Sequence, residues 1–392
     1  MSRLDPTQPA PARPIPPFDA SHERLRAEIR EFIVERLRPH AAEWEQAHWF
    51  PNDVFAWMAE RGYLGIKYPT EYGGLGLGYV ADAVLTEELA WCGSGGLASG
   101  IGAHIGIATP PIWKFGTEDQ KQRFLAPAIR AEKIGCLGIT EPDAGSDVAG
   151  IRTRARRVEG GWLVNGSKMF ITNGVRADFM VTAVKTTEQG GHHGISFLLI
   201  EKGKGVTASP IEKMGWHASD TGLVTLEDVL VPEENLLGEE NRGFYLIMAN
   251  FQWERLLMAL GAVGAMSAAL ERLLAYLAER GARTGAAGGQ ALRHRVAQLA
   301  TTVEAGRDLT YHALRLFTAG HDAVREVTMA KLVTQRASFE LMDECLQIAG
   351  WEGYADGQSL EFGRAVRDAR LGPIGGGTDQ IMNEILGRSL GL

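Results

Sequence analysis

Cysteine is scarce in this sequence. Cys92, Cys136 and Cys345 are the only three in 392 residues, odd in number and far apart, so neither a disulfide framework nor a zinc-ligand spacing is formed. A reducing compartment, the cytoplasm, suits that usage, and no metal site is expected. Positive charge is also in deficit: 40 Lys and Arg against 48 Asp and Glu leave a net charge of -8. With no long basic stripe, nothing favours a nucleic-acid partner. Apolar runs of membrane-spanning length without an interrupting charge or glycine are missing, which argues against a membrane-spanning protein. The first 20 residues, with Pro6, Pro9, Pro11, Pro14, Pro16 and Pro17, lack an apolar h-region and read as a disordered tail, not a signal peptide. The run Gly74-Leu75-Gly76-Leu77-Gly78-Tyr79 lacks the third glycine of a dinucleotide fingerprint, and Tyr79 stands in its place.

What is present is enough apolar residue, 45%, for two or three domains with substantial cores. From residue 21 to 133 the apolar spacing is helical: Leu25, Ile29, Phe32 and Ile33 share a stripe that Ser21 can cap and Pro39 can end. Small residues from Gly100 to Gly106 suit tight helix packing, and His104 among them reads as a satisfied core histidine. Between 134 and 238 the period falls to two, with β-rich segments at 153–158, 162–171, 179–185, 194–200 and 223–231 separated by turn residues such as Glu159-Gly160-Gly161. His192-His193 sits in one of those turns, as a solvated tip. Helical spacing returns over 239–392, in segments 244–280, 290–319, 321–349 and 378–388. The fold class is α+β: an N-terminal helical domain, a central antiparallel β domain and a C-terminal helical bundle.

Four places invite chemistry. Residues 373–381 form a Gly375-Gly376-Gly377-Thr378 loop, which is either a plain turn before the last helix or a place where backbone must approach a ligand closely. Glu254 is the only carboxylate between Phe244 and Leu270, on a stripe with Ile247, Phe251, Met258 and Gly261. It is either a Glu at the stripe's edge with a basic partner, or a desolvated carboxylate whose raised pKa makes it a usable base. The segment 137–147 sets the hydroxyls of Thr140 and Ser146 around a Pro142-Asp143-Ala144-Gly145 turn, and Phe170-Ile171-Thr172 ends a strand with an aromatic, an apolar residue and a hydroxyl. Such turns bind phosphate or a ring edge, and they also serve merely as caps.

Thr140-Glu141-Pro142 through Gly145-Ser146-Asp147, residues 170–174, the exit Asp228-Val229-Leu230-Val231-Pro232, Gln347-Ile348-Ala349-Gly350, Arg367-Asp368-Ala369-Arg370, Gly377-Thr378 and Glu71-Tyr72-Gly73-Gly74 together resemble the acyl-CoA dehydrogenase family, in order and over nearly the whole chain from Ser21. The resemblance implies FAD held non-covalently between β domain and bundle, usually in a homotetramer. Leu137, Ile139, Thr140, Gly145 and Ser146 would meet the flavin or its pyrophosphate, Phe170, Ile171 and Thr172 would flank the ring, and Thr378 and Gln380 would contact it near the last helix. Arg280, Gln347 and Gly350 would reach a neighbouring subunit's FAD; Ser146 and Arg255 match positions that meet the acyl-CoA. Most members carry the base at the position of Gly376. Those that resemble isovaleryl-CoA and long-chain acyl-CoA dehydrogenases carry it on the helix, in a Glu-Arg pair matching Glu254-Arg255, and Gly376 would keep its N–H for the thioester oxygen.

The expected reaction is α,β-dehydrogenation of an acyl-CoA, or acyl-carrier, thioester, with electrons passed to an electron-transferring flavoprotein. The alternatives are an acyl-CoA oxidase or monooxygenase of the same fold, or a non-catalytic flavoprotein. The chain departs from the family pattern in the segment 280–285, which has no phenylalanine, at Arg293 where a glutamine usually stands, and at Trp351 after Gly350. Gly375 replaces an aromatic that often lines the acyl pocket, so a wider pocket, open to branched or bulky chains, is expected.

Overall fold

The computed structural model describes residues 14–187, 191–280, 289–355 and 360–392. The Pro-rich start up to residue 13 and the segment 281–285 lie outside these. Phe18 is buried and meets Tyr311 edge-on at 4.9 Å, so packing begins inside the first 20 residues. Helix α1 (Ala20–Phe32) is capped by Asp19, whose carboxylate accepts the Ser21 N–H at 2.8 Å and the His22 N–H at 3.1 Å. The expected cap, Ser21, is already one residue inside.

The N-terminal domain continues through α2 (Ala41–Ala47), α3 (Asp53–Glu60), α4 (Gly78–Leu89), α5 (Gly95–Gly102), α6 (Thr109–Phe115) and the short α7 (Glu118–Gln120) and α8 (Ala126–Ile129). His104 is fully buried, with Nδ1 accepting the Gly135 N–H and Nε2 facing the Ala128 carbonyl, both at 3.0 Å; it is the satisfied core histidine expected.

Eight strands follow among the described residues: β1 (Gly135–Gly138), β2 (Arg154–Val158), β3 (Gly161–Ile171), β4 (Phe179–Lys185), β5 (Ile195–Glu201), β6 (Val206–Pro210), β7 (Gly222–Pro232) and β8 (Leu236–Leu237). They lie in the order β6-β7-β3-β2-β4-β5-β8, with β1 beside β4. Most pairings are antiparallel, yet β1 and β2 both run parallel to β4, so the sheet is mixed and not antiparallel throughout. The reason is topological: β3 runs antiparallel to β2 and continues past the start of β2, so when the chain reverses there β4 runs in the direction of β2. β6 escaped the sequence reading because four of its five residues are exposed, leaving no alternation to find. His192 leans on Phe244 at 5.2 Å while His193 is exposed, so the tip is only half solvated.

The C-terminal bundle is α9 (Gly243–Glu279), α10 (Gly289–Thr318), α11 (Val324–Ala349), α12 (Trp351–Tyr354), α13 (Phe362–Ala369) and α14 (Asp379–Ser389). α9 is long and apolar enough by composition to cross a membrane, but here it packs on α4, α10 and α11 as the core helix. Its small residues permit this: a Cβ on Gly264 would fall 2.2 Å from the Glu87 carbonyl oxygen.

Candidate active site

On the β-domain side the site is built around a lysine. Inward positions of β3 are Trp162, Val164 and Lys168, all fully buried or nearly so. The Lys168 ammonium donates to the Ile139 carbonyl at 3.0 Å and to Glu141 Oε1 at 2.7 Å. Glu141 also accepts the N–H groups of Arg152 and Thr153, and the Met169 N–H donates to Thr140 O at 2.8 Å. Burial raises the Glu141 pKa, but Lys168 and these N–H groups outweigh it and the net direction is down. Burial holds Lys168 down, to about 8, against the pull of Glu141. The segment carrying Leu137, Ile139 and Thr140 is thereby laced to the end of β3.

There the register of β3 against β7 slips between Lys168 and Ile171. Phe170 takes a left-handed φ of 61° and leaves its ring 60% exposed, while Ile171 turns inward. An exposed phenylalanine in a strained backbone conformation is costly and points to a ring-binding surface. Thr140 and Thr172 are half-buried beside it, and Gly145 and Ser146 are exposed, with nothing within 4 Å of a Cβ built on Gly145. An open cleft lined by Ser146, Asp147, Ile381, Glu384, Ile385 and Arg388 joins this loop to α14.

On the bundle side, the loop before α14 is pinned at its edges: Gly375 N–H donates to Leu371 O at 2.8 Å, Asp379 N–H to Pro373 O at 3.0 Å, and Thr378 caps α14 by accepting the Ile381 N–H at 3.2 Å. Gly376 and Gly377 between them sit at φ of 59° and 94°. Neither of their N–H groups makes a hydrogen bond among the described residues. A Cβ on Gly376 would lie 3.7 Å from Glu254 Oε1, so the α9 carboxylate reaches the place where a loop side chain would begin. Glu254 Oε2 is enclosed and has no hydrogen-bond partner among the described residues. Burial pushes the Glu254 pKa up to about 7, with Arg255 and Lys331 pulling the other way. A carboxylate poised near neutrality beside a free N–H can take a proton from a carbon whose neighbouring carbonyl that N–H receives.

The three domains match three family profiles in chain order: the acyl-CoA dehydrogenase N-terminal domain over residues 19–132, middle domain over 136–229 and C-terminal domain over 241–391. This chain belongs to the acyl-CoA dehydrogenase family. It is 36% identical over 378 residues to isovaleryl-CoA dehydrogenase, mitochondrial, of Solanum tuberosum, covering 95% of this chain and 91% of that one. The long-chain specific acyl-CoA dehydrogenase, mitochondrial, of Mus musculus is 35% identical over 95% of this chain and 87% of its own. A crystal structure of acyl-CoA dehydrogenase from Geobacillus kaustophilus superposes with a TM-score of 0.90 at 36% identity, over 96% of this chain and all of that one. The protein is therefore an oxidoreductase acting on acyl-CoA, of the subset with such relatives, and its family is one of flavoproteins. The exposed Phe170, the half-buried hydroxyls and the open approach at Gly145 fit a flavin.

Of the expected residues, Ser146 lines the open cleft and Glu254 lies beside Gly376, while others lie far from both. Arg280 follows the C-terminal end of α9, 26 residues or about 39 Å of helix from Glu254, and pairs there with Glu352. Gln347 and Gly350 are exposed at the matching end of α11, so none of the three reaches the site of its own chain. Arg293 is exposed near the start of α10, and Trp351 is 76% exposed. Gly376 leaves no added room: a Cβ there would sit 2.3 Å from Met258 Sδ, so the methionine one turn after Glu254 occupies the space beside it. At Gly375 a Cβ would meet Leu371 at ordinary contact, and that position does keep its room.

Sequence reasoning named Met258 only as a member of the Glu254 stripe, and gave no role to Lys168 or Lys331. The two lysines had a signal, each being a cation on an otherwise inward-facing register of its strand or helix.

Proposed function

We propose that the enzyme catalyses FAD-dependent α,β-dehydrogenation of an acyl-CoA thioester to its trans-2-enoyl product, with electrons passed to an electron-transferring flavoprotein. The observation that carries this reading is the Glu254 carboxylate beside Gly376, on the helix and not on the loop. Glu254 takes the α-proton, and the Gly376 N–H receives the thioester oxygen as negative charge grows on it. Arg255, buried with its Nε unpartnered among the described residues and its guanidinium 5.3 Å from the Phe251 ring, supplies positive charge on the acyl-CoA side, where Ser146 offers a neutral hydroxyl. Gly375 leaves room at the acyl group.

FAD would lie against Leu137, Ile139, Thr140, Gly145 and Ser146, with Phe170, Ile171 and Thr172 at the ring and Thr378 and Gln380 at the foot of α14. When bound, it supplies the hydride acceptor for the β-carbon. Arg280, Gln347 and Gly350, remote from this site, suit a second copy's FAD, which favours a homotetramer; a cytoplasmic enzyme of fatty-acid metabolism is the setting proposed. Because a relative is named for isovaleryl-CoA, a branched short chain is the first substrate to try.

The test is anaerobic titration of the purified protein with a panel of acyl-CoA thioesters. The protein should be yellow with about one FAD per subunit, and at least one thioester should bleach it. Slow reoxidation in air then marks a dehydrogenase, fast reoxidation an oxidase, and no bleaching by any thioester sinks the reading.

A further inference from the structure

The buried face of α11 carries polar side chains, Thr328, Lys331, Thr334, Gln335 and Ser338, inside a bundle whose neighbouring buried positions are apolar. Thr328 and Thr334 satisfy themselves on carbonyls of their own helix, those of Val324 and Ala330, at 2.6 and 2.7 Å. Gln335 and Lys331 reach outward. Gln335 Nε2 donates to Met258 O at 2.6 Å, one turn beyond Glu254, and Lys331 Nζ donates to Gly377 O at 2.6 Å, next to Gly376. The helix with the base and the loop with the free N–H are thus both fastened to α11.

Lys331 has no exposed surface, and one carbonyl is meagre compensation for a buried ammonium. A methionine of similar length would fill the same space without that cost. We propose that Lys331 is a positioning residue of the reaction: its ammonium fixes the Gly377 carbonyl and so holds the Gly376 backbone in place beside Glu254, and its positive charge favours the Glu254 anion. This rests on the acyl thioester reading given above.

The charged groups facing Lys331 are Glu254 and Arg255 from α9 and Asp379 from α14, the last paired with Arg336 of α11. Burial brings Lys331 down to about 8, with Asp379 and Glu254 opposing and Arg255 assisting. Glu254 is held up at about 7 by burial, with Arg255 and Lys331 opposing. Carboxylate and ammonium therefore coexist in a narrow band near neutrality, and flavin reduction by substrate should rise with pH through about 7 and fall above about 8.

The test needs a readout that does not depend on turnover. A carboxyl whose pKa rises on folding contributes stability at low pH that is lost as pH climbs to its folded value, and glutamine contributes none of this. The denaturation midpoint of the flavin-loaded wild type, minus that of Glu254→Gln, should therefore decline from about pH 4.5 and level near 7. In Lys331→Met, measured against Lys331→Met/Glu254→Gln, the levelling should move up by about one pH unit, as expected for loss of a close opposite charge. The acidic limb of flavin reduction by acyl-CoA should move with it, and Lys331→Arg should restore both. An unmoved levelling in Lys331→Met, or an equal movement in Lys331→Arg, overturns the proposal. Should Lys331→Met not fold, Lys331→Gln is measured in its place by the same criterion. Wild-type protein that no acyl-CoA bleaches would overturn the functional reading, while the stability comparison still decides for or against Lys331.

Discussion

Glu254 and Met258 stand one turn apart on α9, and between them they account for the bare loop opposite. Glu254 brings the carboxylate, and Met258 occupies the space beside Gly376. Glu254→Gln should fold and keep its flavin but lose flavin reduction by roughly 10²- to 10⁴-fold, the usual worth of a general base. Stopped-flow bleaching checks this, and near-normal single-turnover reduction would refute the assignment. Moving the acid back should cost stability. Gly376→Glu must adopt φ 59° and displaces the flexible end of Met258, whose Sδ lies 2.3 Å from the new Cβ, so a destabilisation of about 1–2 kcal/mol is expected, chiefly from left-handed strain. Adding Met258→Ala should recover part of it, read as a non-additive double-mutant cycle in denaturant midpoints. Strict additivity would show that the two positions do not compete.

At the scale of elements, β3 is shaped by two opposed demands. Its inward register holds Lys168, which binds the 139–141 segment, and its end bulges so that Phe170 faces outward at φ 61°. On the flavin reading proposed above, the strain serves the ring surface and not the sheet. Phe170→Asn, a residue that tolerates the left-handed region, should leave the apoprotein as stable as wild type or up to about 1 kcal/mol more stable, while the flavin dissociates more readily. Thermal scans of apoprotein and the dissociation constant for FAD separate the two effects. A variant that is less stable as apoprotein, with unchanged flavin affinity, would mean that the ring is structural.

Across the whole molecule, the domains meet at Asp368. Its carboxylate, on α13 of the bundle, accepts the Trp216 N–H of the β domain at 2.6 Å and the Gly95 N–H at the start of α5 at 3.0 Å. Loss of solvent pushes its pKa up to about 7, assisted by Glu45 and opposed by those two N–H groups and Arg364. The sign follows from the direction: with the folded value above the ordinary 3.8, the stability contribution is complete at low pH and is lost as pH rises toward about 7. Asp368→Asn should therefore flatten part of the decline in thermal midpoint between about pH 5 and 7, without altering the limb that belongs to Glu254. An unchanged decline in that variant would show that the joint does not titrate there.

The three-part order of helix, strand and helix is legible without coordinates, because periods of 3.6 and 2 are written residue by residue. The sequence by itself also determined that Glu254 was anomalous, since one carboxylate in a long apolar run is visible without coordinates, and the matched motifs at 140–147, 170–174 and 377–378 placed that anomaly in its family. Only the tertiary structure decided what lay across from each residue. That β1 and β2 run parallel to β4, that Met258 occupies the space beside Gly376, and that Lys331 grips Gly377 O from 46 residues away are pairings between distant segments. Local periodicity reports which face of an element is buried, but not what that face meets. The chemistry here depends on that meeting, because burial against particular neighbours is what holds Glu254 near neutrality.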